Sequence, residues 1–219
     1  MSMRRLLWGA GVLAVIGMGA GCAHDEAKQA HSQGEKVGEA FSQKTRFADQ
    51  LSLFNQKQIS LAQLALEKST NPEVRTFAQD LIHDHQKSQD DLETLADSKT
   101  MALATVNLST EDLAVGGAGL EGTSQGVEKG KDKYDKKFDE QVTAFRELRD
   151  SMTGLSGHEF DKAFLGQVKE AQQDAEKLID KGLKNYSDDT SLALFLSRTS
   201  PVVDSHQQRA EVLKGLIGG

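Results

Sequence analysis

Two histidines flank an aspartate in the stretch "LIHDHQKSQDDLETLA", residues 81–96, and all three residue types bind metals or transfer protons. The apolar residues of this stretch recur with helical spacing. Residues two apart on an α-helix point about 200° away from each other, so His83 and His85 cannot bind one metal ion together. His85 shares the apolar line of Leu92 and is predicted to face inward. His83 is predicted to face water, and Asp84 lies at the margin of the apolar face.

Two further polar residues are expected beside His85. Asn71 marks a turn between two helices, with Gln58 13 residues before it and His85 14 residues after it. At about 1.5 Å per residue, both side chains should lie roughly 20 Å from the turn and therefore level with each other. His206, on the last helix, is also predicted to project inward. The sequence thus predicts a polar layer inside a helical bundle.

His85 and His206 are the candidate metal ligands of this layer. A single inward histidine is more often a hydrogen-bonded core residue than a ligand, and metal sites in bundles normally recruit several carboxylates. We therefore expect neither a bound metal nor another cofactor. Whether the layer of Gln58, His85 and His206 binds anything is left open by the sequence.

The elements that must position these residues are amphipathic helices, recognised by apolar residues at three- and four-residue steps. Asn71 and Pro72 are suited to begin the second helix, and Ser156 with Glu159 matches a capping box at the start of another. Pro201 should kink or split the last helix. The predicted inward faces, one helix after another, are Phe47, Leu51, Phe54, Leu61, Ala65; Val74, Ala78, Leu81, Leu92, Leu95; Tyr134, Phe138, Val142, Phe145, Leu148, Met152; Phe160, Phe164, Gln167, Ala171, Leu178; and Leu192, Phe195, Leu196, Val203, Ala210, Leu213.

This arrangement predicts an all-α fold. It is a four-helix bundle with the ferritin-like connection pattern, in which one long, glycine-rich crossover joins two helical hairpins. An additional amphipathic helix precedes the second hairpin. We assign residues 1–22 to an export signal, 23–44 to a polar tether and 45–217 to the bundle domain, with 105–130 as a flexible loop within it.

The crossover contains two strings that resemble active-site motifs. "GAGLEG", residues 117–122, has the dinucleotide-binding spacing, and "GTSQG", residues 122–126, places Ser124 as in a nucleophile elbow. Both motifs require a preceding β-strand, which the pattern does not predict. The nearby acidic residues, Asp132, Asp135 and Asp139, are interpreted as a solvated helix face. We find no complete catalytic constellation and expect the protein not to be an enzyme.

The N-terminus has the features of an export signal. Arg4 and Arg5 precede the apolar run "LLWGAGVLAVIGM", and small residues lead to Cys22, the only cysteine. This order is similar to a bacterial lipoprotein signal, in which the cysteine becomes lipidated. Ala23 after the cysteine favours the outer membrane, with the protein facing the periplasm. The alternative is cleavage after Ala23, which would give a soluble periplasmic or secreted protein.

Charge and hydropathy limit the classes of partner that the protein is expected to bind. The net charge is −7, opposite to the basic excess of proteins that hold nucleic acid, so no nucleic-acid partner is expected. No apolar run after residue 22 is long enough for a membrane span. The expected membrane contact is the N-terminal lipid, and the sequence identifies no protein or small-molecule partner and no oligomeric state. His24 and His31, in the polar tether, are interpreted as solvent-exposed.

Three segments carry a family resemblance: "ISLAQLALEKSTNPEVRTFAQDLIHDHQKSQDDLETLA", "LSGHEFDKAFL" and "SPVVDSHQQRAEVL". They resemble the bacterial family named domain of unknown function 4142, over roughly residues 46–215. The resemblance implies a ferritin-like helical fold and an exported or lipid-anchored protein. It also implies four polar positions, with Glu on the first helix, Asp-His on the second, His on the third and His on the fourth.

This chain matches two of those four positions, with Asp84-His85 and with His206. Gln58 stands at the first, and no histidine lies near Ala171 or Gln172 on the helix that should supply the third. An amide coordinates transition metals far more weakly than a carboxylate or an imidazole. The first hypothesis is therefore a non-catalytic envelope protein with a binding or structural, stress-related role. The alternative is a ferritin-like metal-binding protein or oxidase that uses the two histidines.

Overall fold

The computed structural model describes residues 22–104, 106, 108 and 125–218, without the side chains of 22–31 and 125–132. Within this part of the chain the secondary structure consists of five helices and no strand, which confirms the all-α class. The helices are α1 (Cys22–Lys68), α2 (Pro72–Ser98), α3 (Gln125–Thr153), α4 (Gly157–Asn185) and α5 (Thr190–Gly218). By its internal contacts the chain divides into two units, Met1–Glu39 and Ala40–Gly219, and the helical bundle is the second.

The first hairpin forms as the sequence predicts. Asn71 is the N-cap of α2, and its Oδ1 accepts hydrogen bonds from the backbone N–H groups of Glu73 at 2.9 Å and Val74 at 3.4 Å. Pro72 occupies the first turn, where the missing N–H group is not needed for an intrahelical bond. Residues 69–71 reverse the chain between α1 and α2. The inward faces predicted for α2 are buried.

The conformation of residues 23–44 differs from the prediction. They were expected to form an unordered polar tether, but they belong to α1. The segment is rich in Ala, Glu, Gln and Lys, which favour helix without needing an apolar face to pack. Residues 32–39 are exposed, in keeping with their polar composition. The side chains of Cys22, His24 and His31 lie outside the described part of the structure.

The connection between the two hairpins is more ordered at both ends than the sequence predicts. Val106 and Leu108, inside the predicted flexible loop, are each 7% exposed and belong to the apolar core. Residues 125–130, also assigned to the loop, are the first turns of α3. The two glycine strings lie outside the described residues, except for Gln125 and Gly126. Of the three acidic residues expected on a solvated face, Asp135 and Asp139 are exposed, and the side chain of Asp132 is not described.

The prediction for the start of α4 is wrong. Ser156 is the N-cap of α4 but its side chain makes no cap hydrogen bond, so the expected capping box with Glu159 does not form. The next residue, Gly157, has φ +55°, a left-handed conformation that changes the direction of the backbone at the position where the cap should close. Pro201 was expected to kink or split the last helix, and it does not split it: α5 continues through Pro201, because a proline removes only one backbone bond from a helix that is otherwise packed.

The buried face of α4 is shifted by about one residue from the predicted one. Phe160 and Phe164 are buried as expected, whereas Gln167, Ala171 and Leu178 are only partly buried. The positions that reach the interior instead share the next line around the helix. They are Asp161, Leu165, Val168, Gln172, Ala175, Ile179 and Gly182.

The apolar core forms two clusters separated by polar residues. One cluster contains Phe77 and Phe164 with the buried leucines of the hairpin end. The other contains Phe47, Ile179 and Leu196. On α2, α4 and α5 a single buried polar residue lies between the members of the two clusters, and these are His85, Gln172 and His206. The four helices α1, α2, α4 and α5 thus share an interior layer that interrupts the apolar packing.

Polar contacts attach α3, the end of α4 and the start of α5 to α1. The hydroxyl of Tyr134 on α3 donates to the carbonyl of Arg46 at 2.9 Å, and that of Tyr186 donates to the carbonyl of Gln43 at 3.3 Å. Asp189, directly before α5, forms ion pairs with Lys44 at 2.6 Å and with Lys99 at 2.9 Å. Asp189 therefore joins the start of α5 to α1 and to the end of α2.

Candidate functional site

The polar layer is built around His85, which is 2% exposed. Its Nδ1 lies 3.0 Å from Asn55 Oδ1 on α1, and its Nε2 lies 3.2 Å from Gln172 Nε2 on α4. The same amide nitrogen of Gln172 lies 3.2 Å from Gln58 Oε1. Gln58 is therefore level with His85, as the count from the Asn71 turn predicts. Three helices contribute to one continuous hydrogen-bonded group.

The directions of these hydrogen bonds are mutually consistent. Asn55 uses its amide nitrogen to donate to Ser88 Oγ at 3.2 Å, which turns its oxygen toward His85. The Nδ1–H group of His85 donates to that oxygen, and the Nε2 lone pair accepts from Gln172. Gln172 then uses its two N–H groups on His85 and Gln58. This arrangement requires a neutral imidazole with its proton on Nδ1.

Burial also favours the neutral form of His85. Loss of solvation lowers its pKa from 6.5 to about 3, and repulsion from a protonated His206 acts in the same direction. The ring packs edge-on against Phe54, with centroids 5.1 Å apart. His85 therefore has one charge state and one hydrogen-bonding pattern throughout the neutral pH range.

His206 lies next to His85, with the two ring centroids 5.4 Å apart, and it is 4% exposed. Its Nε2 lies 3.0 Å from Asp84 Oδ2, and the side chain of Asp84 is 38% exposed. Burial lowers the pKa of His206, and the hydrogen bond and charge of Asp84 oppose that shift. Asp84 is thus the link between the layer and solvent, at the margin where the sequence places it.

A second α2–α5 pair continues the contact beyond Asp84. Arg209 pairs with Asp80, one helical turn along α2, and its guanidinium lies 5.0 Å from the ring centroid of Phe77. Phe77 also contacts the ring of His206, with centroids 6.0 Å apart. One face of the layer is therefore closed by an aromatic ring and an ion pair. His83, expected to face water, is exposed.

Two buried atoms of the layer have no hydrogen-bond partner, namely Gln172 Oε1 and His206 Nδ1. Gln172 Oε1 is an acceptor, and His206 Nδ1 is also an acceptor when the neutral ring donates from Nε2 to Asp84. They are the places where the hydrogen bonding of the layer is incomplete.

The residues present do not fit a transition-metal centre of the bundle type. Both ring nitrogens of His85 are engaged by amides, and Gln58 and Gln172 bring neutral side chains where a metal would need carboxylate or imidazole. In the part of the chain that is described, no three His, Cys, Asp or Glu side chains are grouped so that they could hold a metal ion.

Reasoning from residue spacing alone missed two residues of this site. Asn55 lies three residues before Gln58 and so on the same face of α1, a spacing that could have identified it. Gln172 was identified only through the family resemblance, because the buried face of α4 was predicted one residue away from its true position. The larger apolar residues Val168 and Ile179 lie on the face that includes Gln172 and were the available signal.

The fold and the layer define a class of protein: a helical bundle with a buried, neutral layer of amides and imidazoles. Within that class, the family model described as Domain of unknown function (DUF4142) matches residues 26–213, and the chain belongs to this family. No significant match was found among curated proteins or among solved structures. None of the described helices is long and apolar enough to cross a membrane.

Proposed function

We propose that the protein is a non-catalytic helical-bundle module of the bacterial cell envelope, exported by its N-terminal signal and anchored through a lipid on Cys22. The observation that carries the non-catalytic part is the engagement of both His85 nitrogens by the neutral amides of Asn55 and Gln172. A histidine held in this way has neither a free lone pair for a metal nor a pKa suited to proton transfer near neutral pH.

In this proposal the polar layer specifies how the helices pack. An apolar core alone tolerates helices that slide or rotate, whereas a buried polar group must find its partner and so favours one register. Asn55, Gln58, His85 and Gln172 make their hydrogen bonds only when α1, α2 and α4 are level. The layer would thus keep the outer surface of the bundle, where a partner would bind, in one arrangement.

Metal analysis tests this proposal directly. Protein purified from its own host should contain no stoichiometric transition metal, and changing both His85 and His206 to Gln should leave the metal content unchanged. His83→Gln, at an exposed position of the same helix, is the matched control. About one tightly bound metal per chain, lost on changing His85 or His206 but not His83, would refute the non-catalytic proposal.

A gain-of-function variant provides the positive arm. Gln58→Glu together with Gln172→His introduces a carboxylate and an imidazole where the two amides now meet His85, and should create affinity for Zn²⁺ or Co²⁺. Co²⁺ absorbance reports ligand type, so the wild-type chain and the double variant can be compared under the same conditions. If the double variant folds but binds neither Zn²⁺ nor Co²⁺, the layer is not a former metal site that lost its ligands by substitution.

The location is tested separately. Cys22→Ser should abolish incorporation of a radiolabelled fatty acid and move the protein from the membrane to the soluble fraction. The unchanged chain should take up label and fractionate with the outer membrane. A mature N-terminus beyond Ala23, together with no lipid label, would mean that the protein is soluble in the periplasm or secreted. That result would refute the lipid anchor and leave the proposed role of the polar layer unchanged.

A second candidate function, metal binding through the two histidines, is favoured by one observation. The Nε2 of His206 is bonded to Asp84, and its buried Nδ1 is unpartnered. A carboxylate that orients a histidine in this way is common behind metal-bound imidazoles. The metal analysis described above distinguishes the two functions.

A further inference from the structure

A buried carboxyl group on α1 holds the first residues of the crossover, 101–104, which are called the crossover start below. Asp49 is 8% exposed, and its Oδ1 accepts a hydrogen bond from the backbone N–H group of Ala104 at 2.8 Å. Met101 is 4% exposed, and Leu103 and Ala104 pack against the two apolar clusters. The crossover start is therefore attached to α1 by one polar contact and by apolar packing on either side of it.

A side chain of α3 reaches the same carboxyl group. The hydroxyl of Tyr134 donates to the carbonyl of Arg46 at 2.9 Å and is also within hydrogen-bonding reach of Asp49. A tyrosine hydroxyl has one proton, so while it donates to Arg46, a hydrogen bond between Tyr134 and Asp49 must be donated by the carboxyl group. A protonated Asp49 satisfies this arrangement, because its O–H group can donate to Tyr134 while its Oδ1 accepts from Ala104.

The charges around Asp49 do not compensate an ionised carboxylate. None of the ion pairs among the described residues includes Asp49, and the guanidinium of Arg46 lies over the Tyr134 ring, 5.3 Å from its centroid. Residues 101–104 have no titratable side chain. Loss of solvation raises the pKa of Asp49 from 3.8 to about 6; the negative charge of Asp135 on α3 acts in the same direction, and the backbone hydrogen bond and Arg46 oppose it.

Ionisation of Asp49 would change both of its contacts. A buried carboxylate without a paired cation is unfavourable, and contact with water removes that penalty. Water gains access to the carboxylate when the crossover start moves away from α1. The ionised group also competes with the Arg46 carbonyl for the single proton of Tyr134. Both effects favour an open arrangement once the proton of Asp49 is lost.

We propose that Asp49 is a pH-sensitive contact, which holds the crossover start against α1 when protonated and releases it when ionised. Release would expose Met101 and Leu103, which are apolar, without unfolding the four helices around the polar layer. The contact shares no residue with that layer and does not depend on the function proposed above.

The direction and size of the effect follow from the two protonation equilibria. In the open state the carboxyl is hydrated and has the ordinary pKa of 3.8, whereas in the closed state its pKa is about 6. Opening is therefore least favourable below about pH 4, becomes easier as the pH rises to about 6, and is constant above that pH. A difference of about two pKa units raises the opening equilibrium constant about a hundredfold.

Hydrogen exchange of the Ala104 amide measures this opening. In the full chain carrying Cys22→Ser, which needs no attached lipid, the exchange rate corrected for intrinsic chemistry should rise about a hundredfold between about pH 4 and pH 7. In Asp49→Asn it should stay constant and slow, because asparagine keeps the oxygen that accepts from Ala104 and cannot ionise. Asp97→Asn, at an exposed position near the end of α2, is the matched control and should keep the rise.

Two further measurements separate local release from unfolding of the bundle. The amide of Val168, a fully buried residue in the middle of α4, should exchange more slowly than that of Ala104 at every pH. Asp49→Ala, which removes the acceptor, should exchange the Ala104 amide at pH 4 at least as fast as the unchanged chain does at pH 7. Equal protection of Ala104 and Val168, slow exchange in Asp49→Ala, or an unaltered pH dependence in Asp49→Asn would each overturn the proposal.

Discussion

Replacing Gln172 by Leu tests whether the polar layer is structural. Leucine approximates the size of glutamine but removes Gln172 Nε2, which lies 3.2 Å from both His85 Nε2 and Gln58 Oε1 and donates to each. Two buried acceptors are left without donors, at about 1.5 kcal/mol each. Loss of the already unpartnered Gln172 Oε1 returns about 1 kcal/mol. The net destabilisation should therefore be about 2 kcal/mol.

For a domain of this size, a change of about 2 kcal/mol corresponds to a fall of roughly 4–8 °C in the thermal midpoint. Urea unfolding followed by the helical circular dichroism signal measures the same free energy. Gln86→Leu makes the same substitution at an exposed position of α2 and should change stability by less than about 0.5 kcal/mol. If Gln172→Leu behaves like Gln86→Leu, the hydrogen bonds of the layer do not hold the helices together.

A double-mutant cycle refines the result. Once Gln172 is Leu, changing Gln58 to Leu removes an acceptor that has already lost its donor, so the second substitution should be nearly neutral. The two single changes should therefore sum to more than the double change, with a coupling of about 1 kcal/mol or more. Additive effects would show that the two amides do not interact in solution.

Three further predictions concern packing and charge. Gly182→Ala should destabilise the bundle by about 1–3 kcal/mol in urea unfolding, because the added Cβ would overlap Phe47 Cζ and lie 2.7 Å from a leucine methyl of α5. The control Gly215→Ala has no atom within 4 Å of its Cβ and should stabilise by about 0.5–1 kcal/mol, so equal effects of the two substitutions would contradict the close packing at Gly182. Asp189→Asn should destabilise the bundle by about 1–2 kcal/mol through the lost ion pairs with Lys44 and Lys99. Asp189→Ala should cost about 1 kcal/mol more, because the α5 N-terminus also loses the Asp189 oxygen that accepts from the Leu192 N–H group; equal losses in urea unfolding would refute this capping role. Burial raises the pKa of Asp49 from 3.8 to about 6, so the stability that Asp49 contributes is complete below about pH 4 and is lost as the pH rises through 6. Asp49→Asn should remove this pH dependence from a series of thermal midpoints, and an unaltered series would show that Asp49 does not cause it.

The helices could be predicted because apolar periodicity and turn residues act locally. Asn71 and Pro72 specify a helix start through their own side chains, so the first hairpin follows from the sequence. Ser156 could not be treated in the same way, since its cap depends on the backbone conformation of Gly157, which the sequence does not determine. Residues 23–44 were predicted to be an unordered tether because they cannot form an apolar core. A helix, however, needs only favourable local propensity, and this segment belongs to α1.

The polar layer could be predicted in part, for a related reason. His85 and Gln58 were placed level because the rise per residue is the same in every α-helix, and counting from one turn is sufficient. The pairing of Gln172 with His85 depends on how α4 is rotated about its own axis, which is decided by packing against three other helices. Asp84 and Asn55 receive their roles from partners far along the chain, and no local pattern records those contacts.

The two tyrosine hydrogen bonds have a practical consequence for measurements on this protein. The sequence contains one tryptophan, Trp8, which lies in the proposed signal, and two tyrosines. A chain that begins at Cys22 would therefore emit only through Tyr134, at the contact of α3 with α1, and Tyr186, beside Phe47 at the end of α4. Changing either residue to Phe leaves a single emitter, so ultraviolet fluorescence could follow the detachment of α3 and the opening of the opposite hairpin as separate events, without an introduced label.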